Sequence, residues 1–232
     1  MRNPFVAFAV VVIFLAGCAA PYPAAEPPVA VVSAPELKAG DTWIYLQINP
    51  YNGLLARTLT DTLKPVPGGY VVERRSDLPA DPPSFETIAG PWREIAEVDG
   101  AKRRTFSAPL ARIPFPIAPG QGWAGEATVT DQHGVQFLWR TSGRATGWER
   151  VKTAAGEFVA LRIERQMNLG DFDYTWSDTR VFETYWYAPA VKRWVRFEHA
   201  YEQVELNVSP RIRRRLSDRI VWELKEFRPG AG

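Results

Sequence analysis

The sequence predicts an all-β or strongly β-rich fold, a curved antiparallel sheet shaped as a half-barrel or barrel-like closure, and three observations carry that expectation. Nine Trp, eight Tyr and twelve Phe are concentrated after residue 40, and such side chains are best accommodated on pleated surfaces. Apolar residues recur at every second position over short runs, the period of a strand with one buried face. No window carries a long amphipathic helical stripe. A sandwich satisfies the same pattern, but a strand that is aromatic on both faces needs cover on both sides, which favours a curved sheet with a concave aromatic face.

The elements follow in order. GDTWIYLQI (40–48) begins strand-like, NPYNG (49–53) punctuates it, and LLARTLTDTL (54–63) returns as a hairpin partner. PGGYVVERR (67–75) is another strand, followed by a proline-rich loop. Asp99-Gly100 separates two β-like runs within 91–106, and glycine there accepts the positive φ of a tight turn. GQGWAGEATVT (120–130), DQHG (131–134) and VQFLWRTSGRATGW (135–148) read as strand, turn, strand. Gly120-x-x-Trp123 echoes Gly40-x-x-Trp43, a sparse hint that two related β-modules make up the domain. In EFVALRIERQM (157–167), Val159, Leu161, Ile163 and Met167 share a face opposite Arg162, Glu164 and Gln166. RVFETYWYA (180–188) carries Phe182 and Trp186 on one face and Val181, Tyr185 and Tyr187 on the other; VKRWVRFEHAYE (191–202) is its expected antiparallel partner, and RIVWELKEF (219–227) is the last strand.

The 232 residues, 46% of them hydrophobic, are enough for one domain with a sizeable core. Lys and Arg number 28 against 26 Asp and Glu, a balance that gives no case for general electrostatic binding of nucleic acid. Ahead of the domain, Met1-Arg2-Asn3 supplies a short positive segment and Phe5 to Ala16 an uninterrupted apolar run, the layout of a cleaved export signal. Twelve helical residues would span about 18 Å against roughly 30 Å of hydrocarbon, too short for a comfortable membrane span.

Leu15-Ala16-Gly17-Cys18 resembles the lipobox of bacterial lipoproteins. The resemblance implies removal of residues 1–17, acylation of Cys18 (diacylglyceryl and then a further chain such as palmitate), and a mature chain held by a membrane anchor. Two or more chains make such attachment stable. Ala19 after the cysteine implies, by the same analogy, the outer membrane with the domain facing the periplasm. Cys18 is the only cysteine, so an intramolecular disulfide is excluded. Residues 18–36, with prolines at 21, 23, 27, 28 and 35, are expected to form an extended tether of up to roughly 50 Å, leaving 37–232 as the β-rich domain.

AAGEFVALRIER and ETYWYAPAVKRWVRFE are similar to segments of a broad group of uncharacterised bacterial envelope lipoproteins and periplasmic β-proteins. That resemblance implies an antiparallel β fold in the envelope. More loosely the chain resembles half-barrel lipoprotein carriers, from which it departs in lacking helices for a lid.

Chemistry-bearing motifs are sparse. His133 and His199 stand in a turn and a strand, without metal-ligand spacing, and neither a G-x-S-x-G elbow nor a phosphate loop occurs. No metal and no cofactor is expected. The sequence thus favours a noncatalytic protein that binds an apolar small molecule or an envelope protein in an aromatic groove, with Trp43, Tyr45, Phe182, Trp186 and Tyr187 as groove candidates. Ile113, Phe115 and Ile117, alternating with prolines, are candidates for a lid, although the same residues read more simply as an ordinary core-covering loop. Arg211, Arg213, Arg214 and Arg215, expected in a solvated loop, could grip an anionic lipid. An assembly scaffold is the second reading. A carbohydrate-binding or enzymatic reading would use Asp171 and Asp173 beside Tyr174 and Trp176, residues that also read as a turn.

Overall fold

The computed structural model describes residues 22–170, 177–205 and 213–231, with side chains at 177, 178, 204, 205 and 213–217 outside that description. Twelve strands follow one another: β1 (Thr42–Ile48), β2 (Leu55–Val66), β3 (Gly69–Ser76), β4 (Ser84–Ile88), β5 (Arg93–Asp99), β6 (Lys102–Ala111), β7 (Gly122–Asp131), β8 (Gln136–Thr153), β9 (Gly156–Asn168), β10 (Ser177–Ala188), β11 (Arg193–Glu205) and β12 (Arg213–Arg228). Each pairs antiparallel with its sequence neighbour, and β1 pairs with β12 from Thr42↔Arg228 to Ile48↔Val221, so the sheet closes into a barrel. Closure removes the free edges that an open sheet would expose.

Period-two alternation places Trp43 and Tyr45 of β1, Leu59 and Leu63 of β2, Leu161 and Ile163 of β9, and Tyr185 and Tyr187 of β10 inside one buried cluster. A second cluster joins Leu110, Val129, Trp139, Met167 and Val181. Asp99-Gly100 makes the β5–β6 turn, with Gly100 at φ 58°. Arg213, Arg214 and Arg215 pair through their backbones with Glu205, Val204 and Gln203 of β11, so these three arginines stand in β12 instead of a loop.

The sparse glycine–tryptophan echo corresponds to a repeated turn. Gly40 and Gly120 have φ 85° and 84°. Gly40 N–H donates to Leu63 O and Leu63 N–H to Asp41 O; likewise Gly120 N–H donates to Ala145 O and Ala145 N–H to Gln121 O. Even the side-chain clasp recurs, with Lys38 N–H on Asp41 Oδ2 and Ala118 N–H on Gln121 Oε1. These turns precede β1 and β7, the first strands of two six-strand halves.

The two ends of the barrel differ. The end carrying the β2–β3, β6–β7 and β10–β11 connections is filled by Trp43, Trp92, Ile113, Ile117 and Val191. There Asp41, fully buried, accepts from Lys38 N–H and Gly230 N–H and pairs with Lys192 Nζ at 2.9 Å, tying the start of β1 to the C-terminal residues. The opposite end, with the β1–β2, β3–β4 and β5–β6 turns, leads into an open lumen.

The expected tether departs from a free spacer from Tyr22 onward. Pro23 O accepts from Arg150 N–H and Ala25 N–H donates to Trp148 O, while Val32 exchanges both backbone bonds with Ile117. Below its last β7 partner, Arg144, strand β8 has one edge without a strand neighbour, and this arm supplies the missing bonds. Prolines lack a donor but keep their carbonyls, so alternate positions suffice for docking.

Candidate functional site

The lumen cavity, about 340 Å³ in volume, opens between the β3–β4 loop and the end of β5. One wall is apolar and aromatic, built by Trp194 and Phe197 of β11 and Ile220 and Trp222 of β12. Charged side chains line the rest, notably Arg57, Arg74, Glu86, Glu97, Asp99 and Arg112. The rings form a continuous series, Trp194–Phe197 at 6.1 Å and Phe197–Trp222 at 5.0 Å between centroids.

Inward charges are held by partners on neighbouring or opposite strands. Near the mouth, Arg57 pairs with Asp81 and Arg104 with Glu97, each at 2.5 Å. Deeper, Arg74 donates twice to Asp61 at 2.7 and 2.6 Å while its guanidinium lies 4.2 Å from the Trp222 ring centroid. On the other side of Asp61, Arg193 approaches to 2.8 Å, both side chains fully buried. Its guanidinium faces the rings of Trp194, Trp43, Trp92 and Tyr45 at 4.3 to 5.7 Å. Arg193 thus replaces most of its lost hydration with aromatic faces and one carboxylate. Burial alone would raise the Asp61 carboxyl, but Arg74 and Arg193 outweigh it and hold it below the ordinary carboxylate value.

A second network crosses the barrel at mid-height. Arg112 bridges Glu86, at 2.9 Å, and Glu94. Arg165 donates to Glu183 at 3.0 Å and to Thr141 at 3.0 Å. Tyr185 Oη–H donates to the same Glu183 at 2.5 Å, and His199 Nδ1 lies 3.7 Å from it. Burial pushes Glu183 upward, yet Arg165, followed by His199 and Arg112, brings it well below the usual range.

Glu94 goes the other way. Burial, aided by neighbouring Glu86, prevails over Arg112 and Arg165 and pushes it from the ordinary 4.5 up to about 8. Between these values the folded chain holds a proton that the unfolded chain has released, so this group makes stability fall as pH rises from 4.5 towards 8. Glu94→Gln is expected to flatten that slope. Urea midpoints of both proteins at pH 5 and pH 8 check it; equal slopes would contradict the assignment.

The aromatic groove expected from sequence does not assemble. Trp43, Tyr45 and Tyr187 point inward but are 0%, 0% and 1% exposed, in the packed part of the barrel, away from the cavity lining. Trp186 lies on the outer wall, where its Nε1–H donates to Glu149 at 2.7 Å and Tyr22 packs edge-on at 5.6 Å. Phe182 also faces outward and is 39% exposed. The lid candidates are a plug: Ile113 and Ile117 are fully buried in the core, and Phe115 packs on Tyr187 at 5.3 Å. A flat proline-rich run with alternating apolar residues fits a barrel end as readily as a groove. Cys18, Arg211, Asp171, Asp173, Tyr174 and Trp176 lie outside the described residues. His133 occupies the β7–β8 turn while His199 faces the lumen, and no group of three or more metal-ligating side chains occurs among the described residues.

No family model and no curated protein matches the chain. Among solved structures, it is similar to a protein from Parabacteroides distasonis ATCC 8503 provisionally described as a lipoprotein, with a TM-score of 0.45 and 12% identity over 85% of this chain and 99% of that one. A second, from Bacteroides fragilis NCTC 9343 and provisionally described as an exported protein with YmcC-like fold, has a TM-score of 0.44 and 14% identity over 86% of this chain and all of that one.

Proposed function

We propose that the chain is an envelope lipoprotein, acylated on Cys18 and anchored in the outer membrane with its barrel in the periplasm, and that the barrel binds a small amphipathic molecule without transforming it. The membrane part rests on the Leu15-to-Cys18 motif behind its basic and apolar leader. The binding part rests on one observation: a barrel packed solid at one end encloses, at the other, an open cavity with an aromatic wall facing a charged one. The reading of the guest as amphipathic, in place of apolar, is supported by this lining, because a purely apolar molecule would strip water from Arg57, Glu86, Glu97 and Arg112 without replacing it. Three buried polar atoms of lining residues, Glu86 Oε1, Arg112 Nε and Trp194 Nε1, have no hydrogen-bond partner within the protein. Sealed from solvent, they lie behind the cavity surface and do not bear on its guest.

Mass spectrometry of small molecules released from the natively purified, acylated protein would identify the ligand, which is then titrated back against tryptophan emission. Ile220→Trp, which fills the cavity beside Trp222, is expected to weaken that binding at least tenfold and leave the thermal midpoint within a few degrees. Unchanged affinity in the filled variant would remove the lumen as the site.

Assembly with another envelope component is the second reading, favoured by the rim. Tyr51 and Leu54 of the β1–β2 connection and Leu55 at the start of β2 are 75%, 65% and 57% exposed. Recovery of a stoichiometric protein partner with no small molecule would put this reading first.

A further inference from the structure

We infer that Gln47 is a positioning residue for guest binding: it does not itself border the cavity, but its side-chain oxygen fixes the aromatic wall of the lumen against the charged one. The inference rests on the lumen as the binding site, proposed above, and names the residue that joins its two walls.

Three observations carry it. Cross-strand register places Gln47 of β1 opposite Trp222 of β12 on one side and Arg57 of β2 on the other, at the seam where the barrel closes. Trp222 belongs to the aromatic wall and Arg57 to the charged lining, while Gln47 is not among the residues that bound the cavity. The side chains then meet as the backbones do. Trp222 Nε1–H donates to Gln47 Oε1 at 3.2 Å, and Arg57 Nε–H donates to the same oxygen at 3.0 Å. A carboxamide oxygen has two lone pairs, so one atom accepts from both walls without adding a charge to the lumen. Finally, each donor is held at its other side. Arg57 Nη1 pairs at 2.5 Å with Asp81 of the β3–β4 loop, beside the mouth. The Trp222 ring has the Arg74 guanidinium 4.2 Å from its centroid and the Phe197 ring at 5.0 Å. Gln47 thus links the loop that borders the mouth to the ring series of the lumen wall. An amphipathic guest places its apolar part against Trp222 and its polar part near Arg57, and a shared acceptor sets the separation of the two before the guest arrives.

The test uses full-length acylated protein in phospholipid nanodiscs and, as probe, sodium naphthalene-2-sulfonate, a small amphipathic molecule of two fused rings and one charged group. Gln47→Met keeps the approximate volume and removes the acceptor; Gln47→Glu keeps the acceptor. Methionine is expected to weaken calorimetrically measured probe binding about fivefold, the scale of one lost neutral hydrogen bond. It should also move the Trp222 indole N–H resonance, identified by its loss in Trp222→Phe. The thermal midpoint is expected to stay within a few degrees, because Trp222 and Arg57 both border the cavity, where water replaces the lost acceptor. Glutamate is expected to restore affinity to within about twofold of the parent, since a carboxylate accepts from both donors. An indole resonance that does not move, or one that moves while affinity is unchanged, overturns the positioning role and leaves the lumen as the site. Lost affinity that glutamate does not restore, or that accompanies a fall of more than about ten degrees in the midpoint, makes Gln47 structural and overturns the role in the same way. A parent that does not take up the probe, or whose affinity survives filling of the cavity by Ile220→Trp, overturns the lumen reading and the role of Gln47 together.

Discussion

Replacing Arg193 with methionine is expected to destabilise the barrel by roughly 3–5 kcal/mol, the range for breaking a buried ion pair by removal of one partner. Arg193 is fully buried and ion-paired with Asp61 at 2.8 Å. Methionine approximates its volume, so the loss reports interactions more than a cavity. Two kinds are lost at once: the carboxylate contact and the four aromatic faces around the guanidinium. Asp61 keeps its bidentate bond to Arg74, which limits the cost from the acid's side. Lysine at 193 separates the two contributions, because it restores charge without the planar stack; it should recover part of the loss. Urea unfolding followed by circular dichroism checks both variants. Methionine within about 1 kcal/mol of the parent would mean that the aromatic enclosure, not the cation, sets stability at this position.

Glu183→Gln is expected to cost a comparable amount, roughly 3–5 kcal/mol near pH 7, and to do so in a pH-dependent way. Glu183 is the acceptor shared by Arg165 and Tyr185, and Arg165 is 1% exposed with Glu94, 3.5 Å away, as its remaining acidic partner. The folded Glu183 carboxyl titrates below its ordinary 4.5, held down against burial chiefly by Arg165. Folding therefore favours its ionised form: the contribution is present in full above about 4.5 and is lost as pH falls below it. Asp61, also held down against burial, by Arg74 first and Arg193 next, acts in the same sense. The difference in stability between the parent and Glu183→Gln should be largest from pH 6 to 7 and shrink as the medium is acidified from pH 5 to 3. A difference that stays constant across this range would show that the amide loses packing, not charge.

How far the site could be read from sequence is best seen on individual strands. In EFVALRIERQM the inward face runs Val159, Leu161, Ile163, Arg165, Met167, and the alternation identifies the apolar members while Arg165 interrupts them. In RVFETYWYA the face of Val181, Tyr185 and Tyr187 passes through Glu183, and in LARTLTDTL the face of Leu59 and Leu63 passes through Asp61. Each strand thus carries charge in register with its core face, Arg57 accompanying Asp61 in the last of them. That signal was available, but a lone inward charge is costly unless a partner exists, and no single strand contains that partner. The groove candidates fail for a related reason. Period two separates Phe182 and Trp186 from Tyr187, but it does not say which face is inside, and the paired strands on both sides of β10 decide that.

The sequence alone determined the strand class, most of the hairpins, the repeated glycine-led turn and the apolar N-terminal run that ends at the single cysteine, because each depends on residues within about a dozen positions of one another. Tertiary structure decided everything that requires closure. Asp61 meets Arg193, Tyr45 Oη–H reaches Trp194 O and Trp43 Nε1–H reaches Val191 O only when β12 returns to β1. Whether the barrel is solid or hollow is likewise a matter of how inward side chains from twelve strands share one volume, a quantity that no local pattern contains. The arm shows the same division: its prolines specify extended backbone, but the edge of β8 below Arg144 is open to it only because the neighbouring strand ends there.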